Sequence, residues 1–288
     1  MQTRLRQLTL SILAMLCTLA ANAAVYQVSS TTELRTALEN HNSKSDTIRI
    51  MQDLNMSDWN RFLSTFRGVL TGEIRKGEAG YVDPANDSKP LNIHTLMYLK
   101  HPVFDNLNGA SIYGLAIKNS YLEVGGDNDF SDVAGFLTRT SKNSKLERLV
   151  FESCGMEYTT QGSELEHNEQ MDCDKSGILV GVSTNDSIIG VMIKGCVLEG
   201  QSDNVGLVAG DAYGTAFIGC MTDFKCAVYG DDWNNSDVGG ICGFAGLDDD
   251  LTPCSFTGCI NCALVGSGDK GDEVGGIFCF GFSRTLSL

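Results

Sequence analysis

Hydrophobic residues in this chain recur in short alternating runs broken by glycine, asparagine and aspartate, a period-two pattern that predicts strands. The helical exception lies near the start. Ser30 is placed to cap a helix, Glu33 supplies the capping-box partner, and Leu34, Ala37 and Leu38 fall on one face. Beyond it, TIRIMQDLNM alternates Ile48, Ile50 and Gln52 against polar neighbours, and FRGVLTGEI repeats the pattern around Gly68 and Gly72, so both read as strands. The polar run RKGEAGYVDPANDSKP (75–90) carries turn chemistry at Asp83, Pro84 and Pro90 and reads as a loop.

From Phe104 onward a unit made of two halves recurs. Its first half is SIYGLAIKNS (111–120), KLERLVFESC (145–154), SIIGVMIKGC (187–196), AFIGCMTDF (216–224) and SFTGCIN (255–261). Its second half is DVAGFL (132–137), KSGILVG (175–181), NVGLVAG (204–210), DVGGICG (237–243) and EVGGIFC (273–279). Counted from Val133, Ser176, Val205, Val238 and Val274, the steps are 43, 29, 33 and 36 residues, as expected of a regular core with loops of varying length. A few short strands cannot bury their apolar faces alone, so successive units must stack and share one core. Stacking predicts two columns: Leu115, Leu149, Val191, Cys220 and Cys259, and Ile112, Leu146, Ile188, Phe217 and Phe256. Glycines at 135, 177, 206, 239, 240, 275 and 276 mark tight turns or close backbone approach.

The repeated [DEN]VGG[IL]xxG strand, with its SIxxhxIxxC-like companion, resembles the GLUG motif found in repeat arrays of surface and secreted bacterial proteins, often of the Bacteroidetes. The resemblance covers residues 104–288 and implies an all-β, right-handed parallel β-helix or related solenoid, with 24–103 as an N-terminal cap that includes the short helix. It brings no catalytic residues with it. In the fourth and fifth units the first strand runs one residue long and one short, which leaves their register open. The array is expected to continue past Leu288; otherwise the last coil offers an open edge for end-to-end self-association.

Residues 1–23 read as a secretory signal peptide: Arg4 and Arg6 precede an apolar run from Leu8 to Ala20, and Ala21 and Ala23 flank Asn22. This address predicts a secreted or outer-surface protein with no membrane span. Losing Arg4 and Arg6 takes the formal charge from −15 to −17, which argues against nucleic acid and anionic membranes as partners.

An exported chain is free to form disulfides. Cys154 and Cys196 share one column and Cys220 and Cys259 another, while Cys242 and Cys279 stand in corresponding strands one residue out of step. Thiols filling the core are the competing reading. Cys259 and Cys262 form a CxxC with no second pair, so no zinc site is expected. Acidic loops at 230–237, 247–251 and 268–273 offer oxygen ligands of the kind calcium takes, against a plain reading as solvated turns. Otherwise no cofactor is implied. The excursion 157–175 gathers six carboxylates around His167.

Trp233 stands out because it sits in a polar loop, beside Tyr229 and with Asp231, Asp232 and Asp237 close by. Aromatic rings next to short polar side chains stack and hydrogen-bond sugars. A non-catalytic surface or secreted β-helix that presents loops to a glycan or a surface protein is therefore the first expectation. A β-helix lyase or glycoside hydrolase is the second, using paired carboxylates such as Asp231 and Asp232; against it, no GHG or RIK motif is present, and few histidines or clustered cations. A structural stalk, or the front of a larger surface protein, is the third.

Overall fold

The computed structural model describes residues 24–83, 91–124, 133–158, 175–199, 204–230, 237–266, 274–281 and 286–287. The segment read as a leader lies outside them. Strands in parallel register form four sheets, of 13, 6, 5 and 5 strands, which run side by side along a parallel β-helix. One coil takes a strand from each sheet; in the second coil these are Thr138–Lys142, Lys145–Glu152, Gly155–Tyr158 and Lys175–Gly177.

Both predicted core columns are present. Leu146 pairs with Ile112 and Ile188, and Phe217 with Ile188 and Phe256. The column extends backward through Leu70, Ile48 and Tyr26, and forward to Leu286. The strands Val25–Val28, Thr47–Ile50 and Val69–Thr71 thus open the same long sheet that carries the repeats. Like residues stack because parallel neighbours lie about 4.8 Å apart; the Phe217 and Phe256 rings lie parallel with centroids 4.8 Å apart.

The helix Thr31–Asn40 covers the first coil with Leu34, Ala37 and Leu38, the predicted face. Ser30 accepts the Glu33 N–H at 3.1 Å, and the Glu33 carboxylate reaches back to the Ser29 N–H at 2.6 Å. Nearby, the Arg35 guanidinium lies 4.0 Å from the ring centre of buried Trp59. Gln52 departs from expectation. The strand ends at Ile50, and Gln52 is exposed, donating to the Ser29 carbonyl instead of continuing the alternation.

The repeated glycine has a steric cause. Gly135, Gly177, Gly206, Gly239 and Gly275 lie in one column. A Cβ at Gly177 would sit 2.2 Å from the Val180 carbonyl oxygen, and one at Gly206 2.2 Å from that of Ala209. The chain turns back on itself here, and only a hydrogen fits. This register also corrects one count: Ser176 pairs with Ala134, not Val133, so the first step is 42 residues. At the middle of the long sheet a second column bends the strand through positive φ: Gly114, Arg148, Gly190, Gly219 and Gly258. Arg148 is the one non-glycine among them, with φ 50°, and it forms ion pairs with Glu73 and Glu147.

At two corners a residue of positive φ (Asn143 and Asn185 at one, Asn119, Ser153 and Gly195 at the other) precedes a small polar side chain. The first corner stacks Ala110, Ser144, Asp186, Thr215 and Cys254. The Ala110 N–H donates to Ser144 Oγ (3.2 Å), the Ser144 N–H to Asp186 Oδ1 (2.6 Å) and the Asp186 N–H to Thr215 Oγ1 (3.4 Å). The second corner stacks Ser120, Cys154, Cys196, Cys226 and Ala263. There the Leu99 N–H donates to Ser120 Oγ (3.0 Å), the Cys154 N–H to Cys196 Sγ (3.4 Å) and the Cys196 N–H to Cys226 Sγ (3.4 Å). In each case a side chain from the next coil accepts a backbone donor that the sheets leave over.

Candidate binding site

In each of the five coils from residue 104 to 275, the chain leaves one five-stranded sheet and re-enters at the glycine sheet, with a connecting loop segment between the two strands. The loops therefore start and finish along a single seam. They span 125–132, 159–174, 200–203, 230–236 and 267–273, and contain fourteen carboxylates against one lysine, Lys270. The strands that anchor them are fixed by ladder hydrogen bonds, so variation in length and composition along this edge leaves the sheets in register.

Tyr229 ends the strand Ala227–Tyr229, opposite Glu199 and Gly266, and is half-buried; its ring lies 3.2 Å from where a Cβ on Gly266 would stand. Gly230 donates its N–H to the Gly266 carbonyl at 3.1 Å. Asp237 opens the strand Asp237–Gly239 on the far side of the loop. Tyr229 and Asp237 thus hold the two ends of the 230–236 loop, whereas Asp231, Asp232 and Trp233 lie outside the described residues, as does the excursion 159–174.

A polar cluster missed by sequence reading supports this anchor. Lys175, Asn204 and Asp237 form one column. Asn204 Nδ2 donates to Asp211 Oδ1 at 2.7 Å, and the Tyr213 hydroxyl donates to Asp211 Oδ2 at 2.9 Å. Tyr213 also meets Phe244, with ring centroids 5.9 Å apart. Asp211 is fully buried, and burial pushes its carboxyl up to about 6 against the pull of Tyr213, Asn204 and Lys175. Burial and the neighbouring carboxylate push the Tyr213 phenol up as well. Because both Asp211 oxygens are engaged, the group fixes Asn204 and does not face a ligand. The signal available in sequence was the Asp-x-Tyr spacing of GDAYG, since residues two apart in a strand share a face.

Of the acidic loops, 247–251 is described, and its Asp248 is turned to its own backbone: Oδ1 accepts the Thr252 N–H at 2.6 Å, which holds the carboxyl below the usual range. Among the cysteines, Cys154 and Cys196 occupy one column, as do Cys220 and Cys259. The eight described cysteines are free thiols. Cys242 is buried opposite Phe278, which keeps Cys279 one position out of step. Cys226, which the spacing of the repeats does not align with any column, belongs with Cys154 and Cys196. Among the described residues no helix is long and apolar enough to cross a membrane.

No protein-family model matches the chain, and no curated protein matches it. The GLUG resemblance thus rests on the quoted residues. Two solved structures align with it at low similarity. An IgA1 protease aligns at 13% identity with a TM-score of 0.47, over 92% of this chain and 21% of that one, so the chain spans about a fifth of that protein's length. A candidate immunoglobulin A1 protease from Bacteroides ovatus aligns at 13% identity with a TM-score of 0.40, over 91% of this chain and 84% of that one.

Proposed function

We propose that the protein is an exported, non-catalytic β-helix that presents its seam loops to a glycan or protein ligand, with the loop from Tyr229 to Asp237 as the principal contact. The observation that carries this reading is the collection of all five loops along one edge of a rigid ladder. A surface so built varies its contacts without disturbing the core. Within the loop, Trp233 supplies an aromatic face for a sugar ring, and Asp231, Asp232 and Asp237 supply acceptors for its hydroxyls. The described carboxylates whose ionisation is shifted upward, Asp186 and Asp211, are buried and already hydrogen-bonded, which favours binding over acid–base chemistry.

A glycan-array scan of residues 24–288 with the Trp233→Ala variant alongside tests the proposal. Selective binding that falls at least tenfold in the variant is expected. Binding that is indifferent to the substitution removes Trp233 from the site, and a blank array favours a structural stalk.

A further inference from the structure

Two columns of cysteines run along the stack, and they differ in how far they are closed off from the surface. Cys154, Cys196 and Cys226 are buried in the second corner, where Cys196 and Cys226 accept backbone N–H groups and Cys154 and Cys196 face carbonyls two residues back. Ser120 does the same in the preceding coil, accepting the Leu99 N–H and donating to the Lys118 carbonyl. These thiols act as hydrogen-bonding groups in a closed ladder, and burial pushes the Cys226 thiol up to about 12. A thiol in such surroundings is a poor nucleophile.

Cys220 and Cys259 also face the carbonyls two residues back, and they differ in that one of the two thiols reaches the surface. They face one another across adjacent coils, fixed by the pairing of Phe217 with Phe256 and of Met221 with Ile260. The parallel rings of Phe217 and Phe256, 4.8 Å apart, give the local coil spacing, which lies inside the Cα separation of about 4.4–6.8 Å that a disulfide spans. Cys220 is fully buried, whereas Cys259 is half-exposed. The neighbouring Cys220 thiol, with nearby backbone donors, draws the Cys259 thiol down to about 7, and that of Cys220 is raised. An attacking thiol works best when it ionises near ambient pH.

We propose that Cys220 and Cys259 form a dithiol–disulfide couple in which Cys259 reacts first with a low-molecular-weight disulfide and Cys220 resolves the adduct. In the first step the Cys259 thiolate attacks one sulfur of R–S–S–R; the Cys259–S–S–R bond forms and R–S⁻ leaves, taking up a proton. In the second, the Cys220 sulfur gives up its proton and attacks Cys259 Sγ, displacing a second R–S⁻. Two protein thiols are oxidised by two electrons, and one external disulfide is reduced to two thiols.

The test starts from the full chain, fully reduced and then incubated with oxidised glutathione. After acid quenching and alkylation, trypsin and chymotrypsin peptides are mapped without reduction. A Cys220–Cys259 cross-link is expected, two hydrogens lighter than the separate peptides, with Cys154, Cys196 and Cys226 alkylated only after unfolding. Cys220→Ser should stop at a glutathione adduct on Cys259. In the unmodified chain, Cys259 alkylation should rise with pH and level off above about 7. A Cys259–Cys262 bridge, earlier oxidation of the buried column, absence of any intramolecular bridge, or alkylation still climbing through about pH 9 would each overturn the proposal. The peptide map needs no substitution, so a misfolded variant does not obscure the result.

Discussion

Two corners of the same coil solve one problem with different atoms. At each, a residue of positive φ leaves a backbone N–H that no strand partner takes, and a side chain one coil further on accepts it. The first corner uses oxygen: Ser144, Asp186 and Thr215, with Ser183 Oγ donating to Asp186 Oδ2 at 2.7 Å and lying 2.9 Å from Thr215 Oγ1. The second uses sulfur, at 3.4 Å, against 2.6 Å for the Ser144 N–H on the Asp186 carboxylate. Oxygen acceptors, above all an ionised one, bind an N–H more tightly than sulfur does. The oxygen corner is stronger but places an ionisable carboxyl in the core, whereas the sulfur corner is weaker and insensitive to ordinary pH. The oxygen corner thus carries an acid–base sensitivity that the sulfur corner lacks.

Removing Asp186 breaks the comparison most severely. Asp186→Ala strands the Ser144 N–H in a dry corner and leaves the Ser183 hydroxyl with Thr215 alone, and should cost about 3 kcal/mol in urea unfolding. A cost below about 1 kcal/mol would mean that water replaces the carboxylate and that the oxygen ladder is not cooperative.

A gentler substitution sharpens the same contrast. Burial pushes the Asp186 carboxyl up to about 6 from an ordinary value of 3.8, against hydrogen bonds from Ser144 and Ser183. The folded state therefore holds a proton more tightly than the unfolded chain. The favourable contribution of this group is complete below about pH 4 and is lost as pH rises through about 6, on the order of 3 kcal/mol. Asp186→Asn keeps an acceptor for the Ser144 N–H and mimics the protonated acid. It should flatten that segment of the stability profile between about pH 4 and 7, read as the difference between variant and parent melting curves. Parallel profiles would sink the assignment.

The sulfur corner calls for the smallest change. Cys196→Ala removes the acceptor of the Cys154 N–H and leaves a small void, at about 2 kcal/mol. Cys196→Ser should cost less than half as much, because Ser120 already makes the equivalent bond with oxygen. Equal losses for the two variants would show that the column is held by packing alone.

Much of the architecture was legible. The strand periodicity, the single capping helix and both core columns could be read because side chains in a strand alternate and parallel coils place like on like. The glycine column was legible for the same reason, though its cause, a carbonyl oxygen 2.2 Å from the missing Cβ, was not. The site was less legible. Asp211 and Tyr213 were passed over because the runs around them look like ordinary strand, and their meeting with Asn204 depends on the turn at Gly206 to Val208. Arg148 hid a positive φ behind a residue type that rarely takes one.

By itself the sequence determined that this chain is a stack of parallel coils whose charge is gathered in its loops, because repetition of short amphipathic strands has one economical way to bury its apolar faces. The tertiary structure alone decided which side chain answers which backbone donor. Ala216 to Cys226 is one residue longer than Ser187 to Cys196, and Ser255 to Ala263 one shorter, so counting along the chain loses the partner of Cys196. Hydrogen bonds across the coils restore it, since Cys226 must come to rest one rung from Cys196, however many residues the loop between them contains.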